Sequence, residues 1–318
     1  MKVFNRIIIL IFVAGVVLIA VAFSQGLDLR NLGDFFIDDE AYGESISYVS
    51  STSIDSLDIN VDTRHIVIEQ STLDHIQITY YEKEDDQWTI DESNGEISII
   101  QTNTTSRFSW FNFKIPSYNV LTVLIQIPSD LVLNYNLRSD TGEIKYIDGP
   151  SVANSMTLSV DTGKIKIEHI DLNTLTLQND TGNIYLKDLN VLGDIHISMD
   201  TGSISGDDIN AAKLEATSDT GNITINDSSI TNILKLEIDT GSIYIDQTNA
   251  ATYNLSTDTG YVEFKNTSIP NMSCNLSTDT GSIRVNGDSQ GSRYTSTQGD
   301  VVLNIEVDTG SITVNILS

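Results

Sequence analysis

The sequence has few cysteine, histidine and basic residues, and each shortage excludes a class of protein. Its 318 residues include one Cys and four His, which rules out an internal disulfide and any thiolate or imidazole cluster for zinc or iron–sulfur chemistry. Lys and Arg number 17 against 44 Asp and Glu, a formal net charge of −27. Because nucleic-acid binding requires a basic surface that neutralises phosphates, a nucleic-acid partner is excluded as well.

One long hydrophobic run lies near the N-terminus. Residues 7–23 are apolar or small, and Lys2 and Arg6 precede them. The positive-inside rule therefore predicts a cytoplasmic n-region at residues 1–6 and an exported remainder. Two interpretations stay open. A retained transmembrane anchor gives a single-pass cell-membrane protein with its C-terminal domain outside, whereas a signal peptide cleaved near Ala20-Val21-Ala22 gives a secreted one. Residues 24–45 form an acidic linker.

The tripeptide Asp-Thr-Gly recurs nine times through the second half of the chain, and most intervals lie between 19 and 21 residues. A fixed period of this length is typical of a solenoid. The aspartates are Asp140, Asp161, Asp180, Asp200, Asp219, Asp239, Asp258, Asp279 and Asp308. The glycines, predicted to form turns because glycine accepts positive φ, are Gly142, Gly163, Gly182, Gly202, Gly221, Gly241, Gly260, Gly281 and Gly310.

Apolar and polar residues alternate on both sides of each tripeptide. Around Gly163, for example, Met156 and Leu158 precede the tripeptide, and Ile165 and Ile167 follow it. A period of two predicts strands with one buried face. We therefore expect an all-β, single-chain β-solenoid (a β-helix or roll) of about ten coils of roughly 20 residues, stacked about 4.8 Å apart as two parallel sheets.

This solenoid is expected to occupy residues 139–318, behind one N-terminal transmembrane or signal helix. Residues 46–138 lack Asp-Thr-Gly but are rich in alternating residues, so we expect irregular strands that cap the solenoid. The last Asp-Thr-Gly interval is 29 residues long, which predicts that the final strand leaves the regular winding. An open sheet edge at residues 301–317 would permit self-association. Cys274 falls at an inward position of the repeat and His196 at an outward one.

The aspartates could have a catalytic, a structural or a metal-binding role. Asp-Thr-Gly-Ser, as at Asp239, matches the sequence around an aspartic-protease carboxylate, but that chemistry needs two carboxylates sharing a proton in one cleft. Here each coil carries one. The structural interpretation is a hydrogen-bonded turn. Stacking would align the carboxylates into a repelling ladder, which backbone amides, Thr hydroxyls or bound Ca²⁺ would offset. Ca²⁺ on this ladder of nine aspartates is the one cofactor considered.

A short aromatic cluster precedes the repeats. Its members are Phe108, Trp110, Phe111 and Phe113. We consider them a candidate contact loop for a ligand or a membrane. The alternative is that they cover the end of the solenoid core, since aromatic side chains more often pack than bind.

Several of these segments resemble a known family. Val123-Leu124-Ile125-Gln126-Ile127-Pro128 leads into Asn136-Leu137-Arg138-Ser139-Asp140-Thr141-Gly142-Glu143-Ile144, and coils of the form [Ser/Asp]-x-Gly-x-Ile-x-Val follow. This order is similar to that of the putative adhesin family of prokaryotic surface proteins, formerly a domain of unknown function, over roughly residues 46–318. The resemblance implies exported or membrane-tethered β-solenoids, sometimes linked to envelope-stress sensing, with no catalytic residues to carry over.

Three functions follow from these observations. The first is a non-enzymatic, membrane-tethered surface module, adhesin-like, that binds a glycan, an envelope polymer or a protein on an extended sheet face. The second is an envelope-stress sensor or regulator whose ectodomain works with a membrane partner. The third is a β-helix enzyme acting on polysaccharides, which would need converging acids or a focused basic cluster. The scattered basic residues favour a chain that is not an enzyme.

Overall fold

The computed structural model of the chain describes residues 39–51, 53–103, 116–270 and 272–317. The predicted helix at residues 7–23 lies outside them, and among the described residues no helix is long and apolar enough to cross a membrane. Every named element in the described part is a strand, which confirms the all-β prediction. The strands are β1 (Tyr42–Val49), β2 (Ser56–Val61), β3 (His65–Ser71), β4 (Gln77–Lys83), β5 (Asp86–Ser93), β6 (Glu96–Asn103), β7 (Thr122–Pro128), β8 (Asn134–Asp148), β9 (Ser155–Leu172), β10 (Thr174–Asn226), β11 (Ser229–Asp246), β12 (Asn249–Pro270), β13 (Ser273–Val285), β14 (Asp288–Gly291), β15 (Arg293–Ser296) and β16 (Val302–Leu317).

The repeats of strands β8 to β12 stack in chain order as parallel, in-register layers, which we call rungs, and β10 alone contains three of them. Equivalent residues of successive repeats face each other, so that Ile144 pairs with Ile165 and Ile165 with Ile184. The ladder continues through the threonine and glycine of each tripeptide, so the chain bends there without losing its neighbour. The alternating apolar residues form one continuous core, as the repeat pattern predicted.

Each regular rung contains a third short segment that the sequence analysis did not predict. The residue six positions after the glycine adopts a left-handed conformation, with φ of 58° at His169, 52° at Asp188 and 55° at Asp208. Asp, Asn and His tolerate that region better than other residues with side chains. The chain turns there, and Ile170 to Leu172 then pair with Leu189 to Val191. A recurring polar residue at this position was the signal for the second corner.

The repeat pattern also extends upstream of residue 139. Asp62-Thr63-Arg64 joins β2 to β3 as Asp-Thr-Gly does in later rungs: Val61 pairs with Ser139, and Ile66 with Ile144. The amide of Thr141 donates to the carbonyl of Asp62 at 2.7 Å. The Asp-Thr-Gly pattern does not reveal this corner because Arg64 replaces the glycine, although the flanking alternation of Leu57, Ile59, Ile66 and Ile68 matches that of the other rungs.

Both ends of the stack depart from chain order. At one end, β2 lies between β6 and β8, and β3 lies between β7 and β8. At the other, β16 lies between β12 and β13 and pairs in parallel with both. The prediction of an open sheet edge at residues 301–317 is therefore wrong, because that strand is hydrogen-bonded on both sides. Antiparallel strands end the stack instead: β5 on β6, β4 and β1 beyond β7, and β14 and β15 on β13.

A column of buried residues beside the corner alternates in polarity in a way that reflects this order of rungs. It consists of the residue before each corner aspartate, with Gln101 at the equivalent position of β6. In spatial order, polar and apolar residues alternate without exception: Gln101, Val61, Ser139, Val160, Asn179, Met199, Ser218, Ile238, Thr257, Val307 and Thr278. In chain order Thr257, Thr278 and Val307 would break the alternation. Only the insertion of β16 between β12 and β13 restores it.

Three polar members of this column hydrogen-bond to the backbone of the adjacent rung. Ser139 Oγ donates to the carbonyl of Arg64 at 2.7 Å, and Asn179 Nδ2 donates to the carbonyl of Gly163 at 3.2 Å. Thr278 Oγ1 is 3.4 Å from the carbonyl of Gly310. The apolar members fill the space between these polar layers. Among the described residues, Ser218 Oγ and Thr257 Oγ1 are buried without a hydrogen-bond partner, so the polar groups of the column are only partly satisfied.

Candidate functional site

The glycines of the tripeptides form a second column along the corner, with backbone stacked directly on backbone. A Cβ atom placed on Gly163, Gly202 or Gly241 would lie 1.6–1.7 Å from the carbonyl oxygen of the glycine in the neighbouring rung. These three also have φ near +146°, where side chains are strained. In spatial order the column runs from Arg64 through Gly142, Gly163, Gly182, Gly202, Gly221, Gly241, Gly260 and Gly310 to Gly281. The glycines therefore permit the close stacking of the rungs.

The nine aspartates lie one per rung on the outer side of this corner, each half-buried or exposed. Arg138 interacts with two of them: its Nε lies 3.3 Å from Asp140 Oδ1 and its Nη2 lies 3.1 Å from Asp161 Oδ1. Gln178 Nε2 donates to Asp180 at 3.4 Å. Within the described ranges, no group of three or more His, Cys, Asp or Glu side chains could hold a metal ion. The alternative raised from the sequence, Ca²⁺ along the ladder, is not tested by this arrangement.

The outward face of the strands before the corners carries a line of alternating charges. Lys213 Nζ contacts Glu215 at 2.8 Å, and Lys235 Nζ contacts Glu215 at 3.2 Å and Glu237 at 3.0 Å. Hydrogen bonds from Lys213 and Lys235 lower the pKa of Glu215. His196 lies exposed beside this line, as its parity predicted, 3.9 Å from Glu215. These charges neutralise one another.

A small polar cluster lies where β3 meets β8. The His65 and Tyr118 rings stack 4.2 Å apart, and Tyr118 Oη donates to Glu143 at 3.1 Å. The backbone amide of Glu143 donates to His65 Nδ1 at 3.0 Å, which requires an unprotonated nitrogen there. Burial lowers the pKa of His65, opposed by Glu143, whereas burial raises the pKa of Tyr118 to about 12. Both groups are thereby held neutral near pH 7.

The candidate contact loop formed by Phe108, Trp110, Phe111 and Phe113 lies outside the described residues. Strand β6 ends at Asn103, β7 begins at Thr122, and these two strands pair with β2 and β3 of the same rung.

At the corner between β2 and β3, Arg64 forms an ion pair with Asp86, and the two side chains are only 3% and 1% exposed. Asp86 also accepts the amide of Lys83 at 3.1 Å, and the Arg64 guanidinium lies 5.9 Å from the Trp88 ring. An ion pair this deeply buried holds neighbouring strands in one arrangement, because separating the partners would leave an uncompensated charge in the core. It fixes the end of the stack and presents no accessible catalytic group.

Comparisons with known proteins give one informative match. No curated protein matches the chain. Two crystal structures resemble it weakly. A putative adhesin from Bacteroides fragilis is 11% identical, with a TM-score of 0.45 over 86% of this chain and 97% of that one. A putative cell adhesion protein from Clostridium sporogenes is 12% identical, with a TM-score of 0.23 over 86% of this chain and 100% of that one.

The family model is the stronger result. The model described as Toastrack DUF4097 matches residues 54–316, which begin just before β2 and end within β16 and so include both inserted rungs. The resemblance to the putative adhesin family drawn from the repeats is confirmed. With most of its length matched by this model, the chain belongs to the Toastrack DUF4097 family.

Proposed function

We propose that this chain is a non-enzymatic module that holds a β-solenoid of about ten coils outside the cell membrane and binds an envelope or surface ligand along it. The hydrophobic run at residues 7–23 serves as its single-pass tether. The observation that carries the proposal is the column of stacked glycines, which produces long rows of identical outward positions rather than a focused cleft.

The chemistry of these rows supports binding over catalysis. The nine tripeptide aspartates are distributed one per rung, so they do not converge as the carboxylate pairs of glycosidases or aspartic proteases do. The buried ion pair of Arg64 and Asp86 is enclosed by its own hydrogen-bond partners. Repeat proteins with such flat faces use extended surfaces for recognition.

Protease shaving of intact cells tests the location. We expect peptides from residues 46–318 to be released into the medium while residues 1–22 stay in the membrane fraction. Mass spectrometry of both fractions also identifies any new N-terminus near Phe23, which would indicate cleavage after Ala22. A solenoid that resists protease on intact cells and is digested only after lysis would contradict the proposal.

A further inference from the structure

The outward face of the strands after the corners contains a strip that lacks acidic residues. We define the neutral strip as the first and third residues after the glycine in the rungs from β9 to β11, beginning at Lys164 and ending at Tyr244. None of its ten positions is Asp or Glu, although the chain has 44 acidic residues. The corner aspartates border it on one side, and Glu168, Asp207 and Asp246 border it on the other. Acidic residues are therefore abundant beside the strip and absent within it.

One end of the neutral strip is basic. Lys164 is exposed and pairs across the ladder with Glu143 of β8, whereas Lys166 pairs with Lys145, which extends the row of third positions by one basic residue. Lys166 contacts Glu168 at 3.1 Å. Among the described residues, Lys145 and Lys164 have no carboxylate within ion-pair distance. Like charges on adjacent rungs, about 4.8 Å apart, repel each other, and an anion placed between them would relieve that repulsion.

The rest of the neutral strip combines tyrosine rings with small polar side chains. Tyr185 follows Lys166 on the next rung, and the Lys166 ammonium lies 5.2 Å from its ring centre. Ser205 and Thr224 occupy the next two rungs, and Tyr244, 37% exposed, pairs with Thr224. A shallow depression of about 310 Å³ opens beside Tyr244, at the edge of the strip, where Asp246, Glu263 and Lys265 also line it. Two tyrosines roughly 14 Å apart thus enclose a hydroxyl-lined segment.

We propose that the neutral strip binds an anionic polysaccharide, with carboxylate or phosphate groups on Lys145, Lys164 and Lys166 and sugar rings against Tyr185 and Tyr244. This inference rests on the proposed surface function and names its ligand class. A linear polymer fits because the strip is a row of outward positions at a regular spacing of about 4.8 Å along the stack. Sugar hydroxyls match the Ser and Thr side chains, whereas the apolar centre required for a protein interface is missing from the strip.

The overall negative charge does not prevent this contact. The Debye length is about 8 Å at physiological ionic strength, so carboxylates on the opposite faces are screened from a polymer on the neutral strip. The lysines contact the polymer directly and are not screened in the same way. Binding should therefore weaken with salt while remaining measurable at physiological ionic strength.

Titration of the full-length chain in detergent against defined polymers tests the inference. The probes are polygalacturonate for carboxylate, poly(glycerol phosphate) for phosphate and dextran as the neutral control. We expect at least one anionic polymer to bind more tightly than dextran. The double variant Lys164→Gln/Lys166→Gln should weaken that binding about tenfold or more, and Tyr185→Ala should weaken it separately.

The matched control is Lys213→Gln/Lys235→Gln, which removes the same charge from the other face. Equal losses in both double variants would overturn the assignment, because only net charge would then matter. Absence of binding to both anionic polymers would also overturn it, as would a preference for vesicles of acidic lipid that survives the strip substitutions.

Because protease shaving is independent of these titrations, a surface-exposed chain that binds neither polymer refutes the strip alone. A chain that shaving places inside the cell refutes the proposed function.

Discussion

At the residue scale, the fold depends on positions where no side chain can be accommodated. Gly202 has φ of +145°, and a Cβ there would lie 1.7 Å from the carbonyl oxygen of Gly182. That neighbour is backbone in a paired strand and cannot move aside without breaking the ladder. The tripeptide repeats because each rung stacked on the carbonyl of the rung before it, from Gly142 onward, meets the same restriction, whereas Arg64 stands at the end of the column.

We expect Gly202→Ala to lower the free energy of unfolding by about 3–5 kcal/mol, through steric overlap and backbone strain. Urea denaturation followed by circular dichroism measures this loss. Gly43→Ala is the control, because its Cβ would lie 3.8 Å from the nearest carbonyl oxygen, and it should cost less than about 1 kcal/mol. Equal effects of the two substitutions would contradict the importance of the glycine column.

A second prediction at the residue scale concerns how His65 makes the stability of the protein depend on pH. Burial lowers the pKa of His65. The His65 imidazole is therefore protonated at lower pH in the folded chain than in the unfolded chain, where its pKa is about 6.5. The stability contributed by the neutral ring is present above that pH and is lost as pH falls through the folded pKa. Wild-type protein should thus lose more thermal stability than His65→Gln between about pH 7.5 and 5. If the melting temperatures of the two proteins fell equally with pH, the stabilising role of the hydrogen bond from the Glu143 amide to His65 would be refuted.

At the element scale, the two ends of the stack are closed by strands inserted out of chain order. Strand β16 contributes Val307 between Thr257 and Thr278, so that the buried column keeps its alternation. Among the strands that the structure describes, the short antiparallel β14 and β15 pair only with β13. A C-terminal segment is thereby as central in the sheet as the regular repeats.

Hydrogen exchange should distinguish these elements. We expect amides at Ile305 and Ile312 in β16 to exchange as slowly as those at Leu255 and Val262 in β12, because both strands are paired on two sides and exchange requires large-scale opening. The amide of Tyr294 in β15 should exchange much faster. If β16 exchanged as fast as β15, the inserted position would be refuted.

At the scale of the whole molecule, the chain carries a net charge of −27 on a narrow stack. The aspartates repeat along one corner about 4.8 Å apart, so repulsion accumulates along its length. This charge keeps copies of the molecule apart. It also distinguishes the neutral strip, which has no acidic residue, from the acidic surface around it.

Salt should therefore stabilise the molecule by screening. We expect NaCl to raise the melting temperature, and Ca²⁺ to raise it no further at equal ionic strength, because Ca²⁺ needs six to eight oxygen ligands and the ladder offers carboxylates in single file. Differential scanning calorimetry with and without EDTA measures both effects. An additional, saturable rise with Ca²⁺ would instead support the calcium ladder.

The sequence by itself determined the all-β class, the repeating rungs and their buried face, because period-two alternation and a fixed spacing of glycines are local properties. It also placed Cys274 and His196 on the correct sides. The tertiary structure alone decided the order of the rungs at both ends, since β2 and β16 have the same alternation whichever neighbours they pair with. It also decided the neutral strip, because residues about 20 positions apart in the chain become neighbours only when rungs stack.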